Sequence, residues 1–258
     1  MRALPLPQVQ NFGFRTGVLR TYQSAVDATP KGNVDMTHVI VCTQQSVPLL
    51  SNGSPPAFAY LFAYEGATLG YDCYATTGSS AFLWGIYSST AAFVQTTTVD
   101  LLSQGAPMII VCRSRASDQR IQLFLNGVAQ GAGLAITGTG YTPAAAGARF
   151  RLGASSSYPG SPRLGGISFY HSVEVGASAA LSDAAIATYT ADLAEALRRG
   201  RPAPYMRVPV AGSDRAYDAR SLPVNSQGSL PDTWVDLLGS MNLSRSGDVQ
   251  AGVVPAVF

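Results

Sequence analysis

Short apolar segments with alternating side chains recur about every ten residues through the middle of the chain. The clearest is residues 121–125, where every second side chain is aliphatic and Asn126 and Gly127 follow directly. Asn-Gly supplies the two positive-φ residues of a type I′ turn, so this segment is predicted to end in a tight β-hairpin.

Residues 57–64 show the same alternation with aromatic side chains. Phe58, Tyr60, Phe62 and Tyr64 are predicted to lie on one face of a strand. Further candidate strands are residues 37–42, 69–76, 81–88, 91–99, 107–113, 150–154 and 166–174. Many short strands with no helix between them favour an all-β, antiparallel two-sheet jelly-roll sandwich.

One helix is predicted after the last of these strands. Ser182 is a suitable N-cap, and Ile186, Tyr189 and Leu193 recur at helical spacing behind it. Gly200 is predicted to end this helix. The short helix is predicted to close the sandwich.

The pattern divides the chain into three parts. Residues 1–34 are predicted to form an N-terminal arm and an edge strand, and residues 35–200 the jelly-roll domain. Residues 201–258 carry scattered prolines and are predicted to be an extended C-terminal arm. Such an arm cannot satisfy its own backbone groups, so it packs either on its own domain or on a neighbour, and both alternatives stay open.

The order of these features resembles the laminin-G-like, concanavalin A-like jelly-roll superfamily over residues 35–200. The similarity rests on the Asn126-Gly127 hairpin, the short strand at 150–153, residues 165–170 and the Leu-Ser-Asp opening of the helix at 181. The resemblance implies carbohydrate or protein binding at loops or on a concave sheet, with calcium or glycoside hydrolysis in some members.

A second similarity lies at residues 233–243, which contain Trp234. This segment is similar to a phrase that opens such domains in bacteriophage and bacterial surface proteins, although here it stands near the C-terminus. Trp234 is therefore a candidate contact to a partner.

The charge balance argues against nucleic-acid binding. Charged residues are 12 % of the chain, against about 25 % in typical domains, and the net charge is only +2. The single basic cluster, Arg198, Arg199 and Arg201, fits the C-terminal end of the helix, where it complements the macrodipole. It could also bind the carboxylates of a partner.

Catalytic and metal-binding patterns are missing from the sequence. Glu65, Glu174 and Asp72 are each isolated, whereas glycoside hydrolysis needs two facing carboxyl groups. His38 and His171 are the two histidines, and both are predicted to be structural. We therefore expect no enzyme activity, no metal and no cofactor.

The three cysteines, Cys42, Cys73 and Cys112, form no ligand motif and are predicted to be buried free thiols.

Exposed aromatic side chains are the main candidates for sugar binding, because a pyranose ring presents an apolar face and a polar rim. Tyr71, Tyr74, Trp84 and Tyr158 are the candidates. The alternative for Trp84 and most of the tyrosines is packing inside the sandwich. Tyr158, in a Ser/Pro/Gly segment, is predicted to be exposed.

Two functional hypotheses follow. The first is a non-catalytic, homo-oligomeric virion protein, a capsid decoration, fibre or tail-associated subunit that contacts other virion subunits or cell-surface polysaccharide. It rests on the missing export signal, the sparsely charged surface and the residue 233–243 similarity. The alternative is a free carbohydrate-binding module, with a glycoside hydrolase as a third reading. Neither hypothesis includes membrane insertion, since the chain has no long apolar run.

Overall fold

The computed structural model describes the central strands, the helix and parts of both termini. The described residues are 9–11, 14–15, 18–19, 21–26, 35–44, 58–65, 69–76, 81–87, 91–95, 107–115, 117–135, 147–152, 167–174, 180–198, 216–218, 232–235, 242–246 and 251–252.

The described chain is almost entirely β-structure. Its first ten strands are β1 (Val9–Asn11), β2 (Phe14–Arg15), β3 (Val18–Leu19), β4 (Thr21–Gln23), β5 (Met36–Gln44), β6 (Phe58–Glu65), β7 (Leu69–Thr76), β8 (Ala81–Tyr87), β9 (Ala91–Gln95) and β10 (Pro107–Arg115). The rest are β11 (Arg120–Leu125), β12 (Val128–Ala129), β13 (Leu134–Ala135), β14 (Arg149–Leu152), β15 (Ile167–Glu174), the helix α1 (Asp183–Arg198), β16 (Ala216–Asp218), β17 (Thr233–Trp234), β18 (Leu243–Ser246) and β19 (Ala251–Gly252).

Two large antiparallel sheets form the sandwich. The nine-stranded sheet has the order β12-β11-β10-β5-β15-β1-β19, with β13 on β11 and β16 on β15. The eight-stranded sheet has the order β17-β18-β4-β14-β6-β7-β8-β9, and β2 pairs with β3 separately. We call the face of each sheet that points toward the other sheet its inner face. The predicted fold class, an antiparallel jelly-roll sandwich with one helix, is confirmed.

The predicted hairpin is confirmed between β11 and β12. Asn126 and Gly127 have φ angles of 50° and 82°, and Leu125 pairs with Val128 across the turn. The Asn126 Oδ1 atom also accepts a hydrogen bond of 2.9 Å from the Ile109 amide, which ties the turn to β10.

The aromatic core lies between the two sheets. His38 of β5 is fully buried, and its ring centroid lies 4.9 Å from that of Phe62, 5.2 Å from that of Tyr71 and 5.7 Å from that of Trp84. The Trp84 Nε1–H donates to the Arg113 carbonyl at 3.2 Å, so its one polar atom is satisfied across the sandwich. His38 is thus a core residue, as predicted.

Cys73 and Cys112 are buried free thiols, as predicted. The side chains of Cys42 and His171 lie outside the described residues.

Helix α1 covers the outer face of the nine-stranded sheet. Val39, Ile109, Val111 and Phe124 of the sheet form one buried cluster, and the helix contributes Ile186 and Leu193 to it. The Ser182 Oγ atom accepts from the Ala185 amide at 3.1 Å, which confirms the predicted N-cap.

The aromatic alternation predicted for residues 57–64 is interrupted. Tyr60 pairs with Tyr74 but Phe62 pairs with Cys73, so the register shifts by one residue between them. Because Cys73 and Tyr74 are successive and point to opposite faces, Tyr60 and Phe62 do not share a face. The single-face prediction was therefore wrong, since a bulge resets the alternation.

Strands from both ends of the chain complete both sheets. β1 lies between β15 and β19, and β4 lies between β14 and β18. Both are therefore interior strands, whereas an edge strand was predicted in residues 1–34. C-terminal strands cover the edges that these N-terminal strands would otherwise leave open. The described parts of residues 201–258 therefore pack on their own chain.

Candidate functional site

A line of four polar side chains runs across four neighbouring strands of the eight-stranded sheet, at right angles to the strands. Thr233 of β17 pairs directly with Ser244 of β18, Ser244 with Gln23 of β4, and Gln23 with Arg151 of β14. Directly opposed residues point to the same side of a sheet, so the four side chains share one face. We call them the polar row.

The polar row lies on the outer face of the sheet. The neighbouring residues along the strands point inward, and Tyr22, Leu152, Trp234 and Leu243 are fully buried there. In contrast, Thr233 and Ser244 are exposed and Gln23 is half-buried, whereas the Arg151 side chain is only 12 % exposed. The row is thus a polar surface that is accessible over β17, β18 and β4 and becomes buried at β14.

A buried ion pair lies at the β14 end of the polar row. The Arg151 Nη1 atom lies 3.1 Å from the Oε1 atom of Glu65, whose side chain is fully buried. Burial lowers the pKa of Arg151 from its ordinary value, whereas the negative charge of Glu65 raises it. Glu65 therefore holds the guanidinium charged and in place at the end of the row.

Glu65 and Asp72 lie on the same face of the eight-stranded sheet, although each is isolated from other carboxylates in the sequence. Arg149 and Arg151 pair with Glu65 and Ala63, which puts Glu65 and Ala63 on the outer face, and Ala63 pairs with Asp72 on the next strand. Both carboxylates are fully buried on that face. Their isolation in the sequence failed as a guide because strand pairing, which joins distant segments, decides what shares a face.

Two of the predicted sugar-binding aromatic residues, Trp84 and Tyr71, lie in the core. They are 0 % and 1 % exposed and pack around His38, so protein atoms cover the ring faces that a sugar would need. They match the alternative of packing inside the sandwich.

The other two candidates have different positions. Tyr74 lies on the outer face, 8 % exposed, with its ring centroid 5.2 Å from that of Tyr60. Tyr158 lies outside the described residues.

Trp234, the predicted partner contact, is buried within its own chain. Its ring centroid lies 5.3 Å from that of Tyr22, with the two rings edge to face, and neither residue is exposed. Burial raises the pKa of Tyr22 to about 12, while Arg245 lowers it and Asp232 raises it. Trp234 therefore anchors β17 to β4, which corrects its assignment as a contact to another molecule.

The basic cluster predicted at the helix end falls mostly outside the described residues. Arg198 is the last residue of α1, but its side chain is not described, and Arg199 and Arg201 lie beyond the described range. Their role as partner contacts stays a prediction.

None of the four residues of the polar row was predicted from the sequence as a site residue. Gln23 and Ser244 belong to no motif, Thr233 was noted only as the start of the 233–243 similarity, and all three come from segments interpreted as arms. The one signal in the sequence was the alternation in Phe150-Arg151-Leu152, which marks Arg151 as facing away from the core.

The described residues offer neither a metal centre nor a membrane span. Within these ranges, no three His, Cys, Asp or Glu side chains come together as a potential metal site. No described helix combines the length and the apolar character needed to cross a bilayer.

Comparison with known proteins identifies the fold. No protein-family model and no curated protein matches the sequence. A candidate carbohydrate-binding protein from Bacteroides ovatus superposes with a TM-score of 0.59 and 12 % identity, covering 98 % of this chain and 61 % of that one. A heptameric SAP-like pentraxin from Limulus polyphemus superposes with a TM-score of 0.51 and 11 % identity, covering 72 % of this chain and 82 % of that one. At these identities the likeness concerns the fold, and this chain has the jelly-roll sandwich of those two proteins.

Proposed function

We propose that this chain is a non-catalytic carbohydrate-binding domain and that the polar row is its binding face. The observation that carries the proposal is the polar row itself. Hydroxyl, amide and guanidinium groups stand side by side on an accessible sheet face, and these groups donate to and accept from the hydroxyl groups of a sugar. The name of the Bacteroides ovatus protein with the same fold supports this reading.

The charge of the site favours a neutral ligand. Arg151, the one charged member of the row, is paired with Glu65 at 3.1 Å, so its charge is balanced. The remaining members of the row carry no charge. A surface of paired charges and neutral polar groups suits a polyhydroxyl ligand better than a polyanion.

The test is a glycan array followed by calorimetric titration of the best ligand. Gln23→Ala is the informative variant, because Gln23 is half-buried in the centre of the row and carries no ion pair. We expect it to weaken binding roughly fivefold to tenfold through the loss of its hydrogen bonds. Thr188→Ala, on the exposed side of α1, is the matched control and should bind as the wild type does.

Two other variants would mislead in this test. Arg151→Ala leaves the buried Glu65 carboxylate without its cation, at a cost of about 3–5 kcal/mol in stability. Trp84→Ala opens a core cavity at a similar cost. An array without any signal, or a Gln23→Ala variant that binds at full strength, would reject the proposal.

The absence of catalysis is part of the proposal. The Glu65 carboxylate is engaged by Arg151 and fully buried, which is unlike a general acid poised over a glycosidic bond. Incubation with the glycans that bind should therefore release no new reducing ends.

The virion location and the homo-oligomeric state stay separate predictions. Light scattering of the purified chain should show an assembly larger than the 26.9 kDa chain. Imaging of released phage particles should find the protein on the particle, whereas a free monomer would reject both predictions.

A further inference from the structure

We propose that the polar row binds a linear glycan that runs across the strands, with one sugar unit over each of β17, β18, β4 and β14. This inference rests on the proposed function, since it specifies the ligand of the same face. It predicts that the ligand is recognised as an extended chain and not as a single sugar.

The register of the sheet sets the direction of the ligand. Each member of the polar row is the direct cross-strand partner of the next, without a bulge between them. The line through the four side chains therefore runs perpendicular to the strands. A ligand that contacts all four must lie along that line.

The spacing of the strands sets the repeat. Neighbouring strands lie about 4.8 Å apart, so the four side chains extend over about 14 Å. The advance of one unit along an extended pyranose chain is close to this strand spacing. Each unit can then meet one hydroxyl, amide or guanidinium group, and successive units repeat the same contact.

The two ends of the row differ. In the same register, Arg151 is followed by Ala63 and Asp72, which are both fully buried, so the accessible face stops at β14. At the opposite end, Thr233 is exposed and lies on the first strand of the sheet order. A glycan is therefore stopped at Arg151, whereas at the other end no described strand follows that of Thr233 in the sheet order.

The experiment measures affinity as a function of ligand length. The best array ligand is titrated as a series of oligosaccharides, beginning with the monosaccharide. We expect the affinity to rise roughly threefold to tenfold with each unit, as each adds a polar contact, and to level off at about four units. A monosaccharide that binds as tightly as the longest oligosaccharide would overturn the inference.

A pair of variants locates the open end. Thr233→Ala and Ser244→Ala remove exposed hydroxyl groups, and the sandwich tolerates both because neither side chain is buried. We expect each to weaken the longest oligosaccharide severalfold and to leave the shortest binding fragment unaffected, with Thr188→Ala as the control. Equal effects on long and short ligands would contradict the model.

These outcomes separate the inference from the proposed function. If the wild-type chain binds no glycan of any length, the proposed function fails. If it binds glycans with an affinity independent of length, the proposed function stands and the inference of a strand-spanning ligand fails.

Discussion

At the scale of single residues, two glycines in the connection between β12 and β13 have similar backbone angles and different surroundings. Gly131 and Gly133 have φ angles of 68° and 75°. A Cβ atom on Gly131 would meet no atom within 4 Å, whereas one on Gly133 would lie 2.4 Å from Gln122 Oε1 and 2.7 Å from the Ile121 carbonyl oxygen. The Gln122 side chain in turn donates to the carbonyl groups of Gln130 and Gly131, at 3.1 and 3.2 Å.

We expect Gly133→Ala to be clearly more destabilising than Gly131→Ala. Both variants carry the cost of a positive φ, about 1 kcal/mol, and Gly133→Ala adds a clash that displaces Gln122, for a total of about 2–3 kcal/mol. Urea denaturation of both variants measures the difference. Equal losses in the free energy of unfolding would show that the clash is relieved without cost.

Residue type alone could not separate core aromatic residues from binding ones. Trp84 and Tyr71 have aromatic rings of the kind that stack on sugars, but the register of β7 and β8 turns both toward His38. Asn126-Gly127 was predictable because the two residue types themselves demand the turn. The requirement for glycine at Gly133 was not predictable, because the clash that a Cβ atom would make there is with Gln122 on another strand.

At the scale of elements, Arg113 joins the helix to the nine-stranded sheet. Its Nη1 atom donates to the Leu181 carbonyl at 2.8 Å and to Asp183 at 2.5 Å, and its guanidinium lies 4.9 Å from the centre of the Phe124 ring. The Arg113 side chain is 5 % exposed, whereas that of Asp183 is 73 % exposed. Substitutions of Arg113 and of Asp183 should therefore differ in how much they lower the free energy of unfolding.

We expect Arg113→Met to lower the free energy of unfolding by about 2–3 kcal/mol, through the lost bonds to Leu181 and Asp183. Asp183→Asn should cost about 1–2 kcal/mol, because it removes the counter-charge of the buried Arg113 guanidinium but keeps a side-chain oxygen that can accept its hydrogen bond. Arg115→Met is the matched control in the same strand, since the Arg115–Asp118 pair is exposed and should contribute little. A larger loss in the free energy of unfolding for Asp183→Asn than for Arg113→Met, measured by chemical denaturation, would contradict this account.

A second element-scale feature is the docking of β17 and β18 on β4. Burial raises the pKa of Tyr22 to about 12, compared with about 10 in the unfolded chain. Folding therefore favours the neutral phenol. The associated stability is fully present below about pH 10 and is lost as the pH rises through about 12.

We expect stability to fall more steeply between about pH 9 and pH 12 in the wild type than in Tyr22→Phe, which lacks the titrating group. The difference between the two curves should reach roughly 2–3 kcal/mol at the upper limit. Denaturation of both proteins at a series of pH values measures it. Parallel curves would mean that Tyr22 titrates normally and that the C-terminal strands do not bury it.

At the scale of the whole molecule, local signals predicted the architecture but not the polar row. Alternation, the Asn126-Gly127 turn and the Ser182 cap each act within a few residues, so they could be identified without knowing the fold. The polar row brings together Gln23, Arg151 and two residues beyond position 230. Only the pairing of N-terminal with C-terminal strands creates it, and no local pattern encodes that pairing.

The central claim, that the polar row is the binding face of this sandwich, is tested most directly by mapping backbone amide chemical shifts during titration with the best glycan. The account predicts shift changes on β17, β18, β4 and β14, with none on α1 on the other side of the molecule. Changes confined to the helix, or to the segment around Tyr158, would contradict it.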